Sequence, residues 1–236
     1  MDQSVIVLCG TAASIAFIHT VLGPDHYLPF VVMGRARRWP LVKTACVTLL
    51  CGLGHVASSV VLGLAGVFVG MKILELETFE ALRGTFAAWL LIGFGFAYLV
   101  WGVHRAFRKR SHRHVHRHAD GTIHDHLHSH RDEHTHVHDA ARRDITPWLL
   151  FTVFILGPCE PLIPILMYPA ANSSVGAVVL VAGVFGVVTI ATMLAIVALS
   201  AWGVRFVKLG RFERFEHAVA GAMICLSGLA VQLLGL

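Results

Sequence analysis

The sequence predicts an all-α membrane protein: six transmembrane helices arranged as two inverted three-helix repeats, with the first helix of each half broken. Three observations carry this. The 236 residues are 56% hydrophobic and only 14% charged, with a mean hydropathy of +0.70, more apolar than a domain with a water-facing surface sustains. Six apolar runs, at about 4–33, 41–70, 83–104, 147–169, 175–203 and 215–236, each reach the roughly 20 residues that span a bilayer as a helix. A Leu-Gly-Pro element followed by a polar pair occurs in the first run and again in the fourth. The runs are continuous rather than alternating, which argues against a strand barrel.

The first run opens with Met-Asp-Gln-Ser. It lacks the basic segment of a signal peptide and is read as a retained span. Near its middle it contains "HTVLGPDHYLPF", His19 to Phe30, in which Gly23-Pro24 interrupts the helix just before Asp25 and His26. Proline removes an amide donor and crowds the carbonyl four residues back. A carbonyl freed at membrane depth is tolerated where protein or a wet cavity surrounds it. The second run carries "GLGHVASSV", Gly52 to Val60, whose glycines are expected to bring His55 up to the first span. The third run closes the first repeat, residues 1–104.

Residues 105–146 form a loop with eleven histidines: His112, His114, His116, His118, His124, His126, His128, His130, His134, His136 and His138. With few large apolar residues and His-x-His spacing, it reads as a poorly ordered metal-chelating tether. Near neutral pH its imidazoles are mostly uncharged and able to ligate.

The second repeat, 147–236, begins with "LGPCEPLIPI", Leu156 to Ile165. This aligns on "LGPDHYLPF", Leu22 to Phe30, and sets Cys159-Glu160 against Asp25-His26. In the following run "GVVTIATML", Gly186 to Leu194, aligns on "GLGHVASSV" and places Thr189 at the position of His55. Three spans per half is an odd number, so the halves enter from opposite sides, as in many transporters. Each intramembrane charge costs about 2.5–3.5 kcal/mol on insertion scales, so these polar groups need partners.

Charge sets the orientation. Seventeen of the nineteen Lys and Arg fall in the first, third and fifth loops, leaving Lys72 and Arg83 in the second. The positive-inside rule then puts the His-rich loop in the cytoplasm and both termini outside a cytoplasmic membrane. The net charge of +5 is accounted for by topology, and without an aromatic-basic platform a nucleic-acid partner is not expected. The five cysteines lie in the predicted spans with no C-x-x-C, against a disulfide framework.

His19, Asp25, His26 and His55 are therefore candidate ligands of one intramembrane metal site, with Cys159 and Glu160 as second-half contributors. Imidazole and carboxylate suit divalent late first-row ions. With "HTVLGPDH" and "GLGHVASSV" in view, the chain resembles the NicO-type nickel/cobalt transporters and related urease-accessory-type (UreH-like) six-span proteins. The signature of the nickel/cobalt transporters is His-x4-Asp-His, whereas five residues separate His19 from Asp25 here. The resemblance implies a secondary transporter, not an enzyme, that exports a divalent transition-metal ion, nickel or cobalt first and zinc as well, with a proton as candidate counter-ion. No Walker motif is present, so this chain does not itself hydrolyse ATP. Two alternatives stay open: a thiol-disulfide electron carrier of the cytochrome-biogenesis type, which "GPCEP" resembles, and a sulfite or anion exporter on a similar scaffold. The latter expects basic residues inside the spans, where none is read.

Overall fold

A computed structural model describes residues 3–69, 72–108, 113–117, 123–127, 144–157, 159, 161–171, 175–204 and 210–234. The described residues are mainly helical, with one antiparallel strand pair: α1 (Gln3–Leu22), a 3-10 turn (Pro24–His26), α2 (Leu28–Ala36), α3 (Leu41–Val69), α4 (Ile73–Arg108), β1 (Arg113–Arg117), β2 (Ile123–Leu127), α5 (Thr146–Leu156), α6 (Leu162–Ala171), α7 (Val175–Val204), a 3-10 turn (Gly210–Phe215) and α8 (Glu216–Leu234). Among the described residues five helices are long and apolar enough to cross a membrane: α1, α3, α4, α7 and α8. The fold is thus an all-α membrane protein. The fourth expected span is instead two short helices, α5 of 11 residues and α6 of 10.

Both breaks fall where Gly-Pro was expected to place them. α1 closes with Gly23 N–H donating to the His19 carbonyl at 2.9 Å. Pro24 opens the 3-10 turn, and α2 starts with Pro29 in its first turn, where its missing amide leaves no unmet bond. α5 ends on Gly157, whose extended backbone leaves the helix while its N–H still donates to Val153 at 2.9 Å.

The long helices pack by small residues. α4 and α8 cross on Gly95, Gly102, Gly221 and Gly228. A Cβ at Gly95 would meet the Cys225 backbone, and one at Gly221 the Leu99 backbone, so only glycine permits this approach. α3 and α7 meet reciprocally: a Cβ on Gly52 would lie 3.2 Å from Ile190, and one on Gly186 3.0 Å from Val56. Gly52 therefore serves α7, and Gly54 faces Ile155 and Phe151 of α5. Neither glycine draws α3 to α1 as expected, because the grooves they open are filled by the second half.

Two apolar clusters result. One gathers Phe30, Met33, Leu150, Phe154, Met193 and Ile224; the other gathers Ala12, Ala16, Cys159, Leu162, Val181 and Phe185, with Cys9 packed against it. The flanks of the long helices show exposed side chains such as Phe17, Leu53, Phe96 and Leu199, the surface that meets lipid.

Two further expectations change. The third span starts at Ile73 rather than 83, which takes Glu80 and Arg83 out of the second loop and into a helix. The histidine loop is not wholly irregular: β1 pairs antiparallel with β2, setting His114 opposite His126 and His116 opposite His124. Alternation around β-branched Val115 and Ile123 suits a strand. His112, His118, His128, His130, His134, His136 and His138 lie outside the described residues.

Candidate functional site

His19 comes from the last turn of α1, Asp25 and His26 from the 3-10 turn, and His55 from the middle of α3. The turn brings His26 back towards His19, with ring centroids 4.7 Å apart and nearly perpendicular. His55 meets His26 from the other side at 5.2 Å, again edge to face. His26 and His55 are 2% and 3% exposed. The ligand nitrogens of all three histidines lie within 4.8 Å of one another, the one such group of metal-ligating side chains among the described residues.

Each of two rings is oriented by a bond on its far nitrogen. His26 Nδ1 lies 3.2 Å from both the Gly23 carbonyl and Asp25 Oδ1, and His55 Nδ1 lies 3.3 Å from the Phe154 carbonyl. With the protons on Nδ1 donated to these acceptors, Nε2 of each ring carries the lone pair. The Nε2 atoms of His19, His26 and His55 are all buried and have no hydrogen-bond partner. An unmet buried polar atom costs about 1–3 kcal/mol, so three together call for an explanation. Asp25 thus stands behind His26 and orients it. Gly23 makes that possible, since a Cβ there would fall 2.9 Å from Asp25 Oδ1 and 2.5 Å from His26 Nδ1.

The second break is held against the same site. Arg83 Nη2 donates to the Gly157 carbonyl at 2.8 Å, to Ser59 Oγ at 2.9 Å and to Ser58 Oγ at 3.3 Å, while Nη1 pairs with fully buried Glu80 at 3.3 Å. The guanidinium serves the Gly157 carbonyl, whose helical donor four residues on is missing because that residue is Pro161. Reading residues 73–82 as loop concealed this pair; the i,i+3 spacing of Glu80 and Arg83 was the available signal. A basic residue does therefore lie within a candidate span, but its charge is matched by Glu80.

Cys159 is fully buried in the cluster with Ala12, Ala16 and Phe185, apart from the three histidines. Glu160 lies outside the described residues.

Fold and site together define a polytopic helical membrane protein with two interrupted helices, whose breaks lie beside one imidazole cluster, the second followed by a buried cysteine. Residues 28–230 match the family model described as Cytochrome C biogenesis protein transmembrane region, and the chain belongs to that family. No curated protein and no solved structure matches it. This overturns the resemblance to NicO-type and UreH-like transporters, and with it the expectation of nickel or cobalt export. That resemblance rested on two short polar motifs, whereas the family match runs from α2 into α8. It begins at Leu28, so His19, Asp25 and His26 precede it, while His55, Arg83 and Cys159 fall within it.

Proposed function

We propose that this protein acts in a cytoplasmic membrane as a component of cytochrome c biogenesis, of the thiol-disulfide electron-carrier class. The observation that carries the reading is the position of Cys159 in a family member of this kind: immediately after the second helix break and buried against α1 and α7. A non-helical backbone is where a carrier can re-aim a thiol. Cys9 on α1 borders the same cluster and supplies the first-half sulfur.

In the oxidised carrier Cys9 and Cys159 share a disulfide. The thiolate of a partner dithiol attacks one sulfur and forms a mixed disulfide. Its second thiolate then resolves that bond, leaving two electrons and two protons on the carrier thiols.

Six spans in two inverted halves suit this work, because each half then presents its break towards one side. Support comes from the reciprocal contacts of Gly52 with Ile190 and Gly186 with Val56, which are equivalent positions in the two aligned motifs. The basic loops orient the carrier with the His-rich loop in the cytoplasm and both termini outside.

The test is complementation. In cells lacking the native chain, membranes are assayed for covalently bound c-type haem. Wild type and Cys46→Ser, whose thiol is exposed on α3, should restore it and Cys159→Ser should not. Full restoration by Cys159→Ser contradicts the reading.

A further inference from the structure

We infer that His19, His26 and His55 form an intramembrane binding site for one divalent late first-row transition-metal ion, with Asp25 as the carboxylate that orients His26. The site is separate from the apolar cluster that holds Cys9 and Cys159.

The site has the features such an ion requires. One nitrogen from each of three imidazoles converges to within 4.8 Å of the others, and the buried Nε2 of each ring has no protein partner. Neutral imidazole is a borderline ligand suited to zinc, cobalt, nickel and copper rather than to magnesium or calcium. Ligating histidines characteristically give their other ring N–H to a carboxylate or a backbone carbonyl. His26 does so to Asp25 and Gly23, and His55 to Phe154.

Four ligands about 2.1 Å from a tetrahedral ion lie roughly 3.4 Å apart. The nitrogens here lie within 4.8 Å, so small rotations of the imidazoles close the site around an ion.

Three protein ligands leave one tetrahedral position open. A cavity of about 30 Å³ borders Asp25, His55, Phe154 and Gly157, with room for at least one water. The fourth ligand is therefore a water or an anion of similar size. Asp25 offsets part of the charge of the ion in a region where an uncompensated cation is costly.

The experiment uses Co²⁺ on full-length purified protein in which the eleven loop histidines from His112 to His138 are replaced by alanine. Co²⁺ in a tetrahedral nitrogen field absorbs strongly in the visible, whereas octahedral aqueous Co²⁺ absorbs weakly. The expected result is a tetrahedral spectrum saturating at one Co²⁺ per chain and displaced by Zn²⁺. In the same background His26→Ala and His55→Ala should abolish it. Asp25→Asn should retain the bands with affinity about 10–100-fold weaker, and Cys159→Ser should leave both unchanged. The inference is overturned by the absence of tetrahedral bands in the loop-substituted chain when its thermal unfolding matches wild type. It is equally overturned if the bands persist in His55→Ala or vanish in Cys159→Ser. The spectra do not depend on haem attachment, so the metal site and the carrier role stand or fall separately.

Discussion

His26 and His55 face each other edge to face with ring centroids 5.2 Å apart, although one lies on a 3-10 turn and the other on a helix 29 positions further along the chain. Neither helix alone could set this distance. It depends on the break at Gly23-Pro24, which turns His26 off the α1 axis, and on the carbonyl of Phe154, which fixes the His55 ring from the second half.

Gly23→Ala should therefore damage the cluster without removing any of its ligating groups. The added Cβ would overlap His26 Nδ1 and Asp25 Oδ1, a strain of about 1–3 kcal/mol by analogy with overpacked cores. Thermal unfolding in detergent should show this loss. An unfolding temperature equal to wild type would mean that the turn is not constrained by its side chains.

The glycines on α4 and α8 offer a sharper contrast. Gly221→Ala places a Cβ against the Leu99 backbone, which cannot rotate away, and should cost about 3 kcal/mol or more. Gly93→Ala, on the same helix pair but with nothing within 4 Å of the new methyl, should be neutral or stabilising by about 0.5–1 kcal/mol. Equal effects of the two substitutions would contradict the close crossing.

Glu80 and Arg83 make a buried pair, and removing one partner leaves a charge in a low-dielectric setting. Glu80→Gln should destabilise by about 3–5 kcal/mol. The double variant Glu80→Gln, Arg83→Gln should recover part of the loss through removal of the stranded cation. A double variant whose loss equals the sum of the singles would show that the two side chains do not act as a pair.

The start of α5 is tied to α3 at its loop end. Asp144 accepts from Lys43 Nζ at 3.1 Å and Trp39 Nε1 at 3.0 Å, and its other oxygen from the Thr146 N–H at 3.3 Å. Partial burial pushes the Asp144 carboxyl up, but these hydrogen bonds outweigh it and hold the group below its ordinary value of 3.8. A depressed carboxylate contributes stability above its unfolded pKa, lost as pH falls through the lower folded value. With Lys43 40% exposed, the contribution is under about 1 kcal/mol. Asp144→Asn should lower stability slightly at pH 7 and match wild type once pH is well below 3.8; a constant difference down to acid pH would contradict the ionic component.

The sequence carries the helical membrane class and both helix breaks, because length, hydropathy and Gly-Pro act locally. His19, Asp25, His26 and His55 were also legible as a group, since isolated polar residues in apolar runs need partners. Less legible was the start of α4. Lys72, Glu75, Glu77, Glu80 and Arg83 together look like a loop, and only the folded contacts of Arg83 with Glu80, Ser59 and Gly157 show why Glu80 is buried and Arg83 partly so. The glycines of α4 and α8 do not disclose their crossing in the sequence, because a glycine's partner is set by tertiary packing. Family membership lay beyond two short motifs, in a pattern distributed over residues 28–230.

The most direct test of the carrier reading is the redox state of Cys9 and Cys159 in the membrane-embedded protein. After mild oxidation, alkylation of the remaining free thiols and digestion, mass spectrometry should find a peptide pair joined through Cys9 and Cys159. Reduced thioredoxin, a protein dithiol, should convert that pair to two alkylatable thiols while Cys46, Cys51 and Cys225 remain thiols throughout. A Cys159 that stays a single thiol under every oxidising condition, in protein that is otherwise folded, would contradict the account.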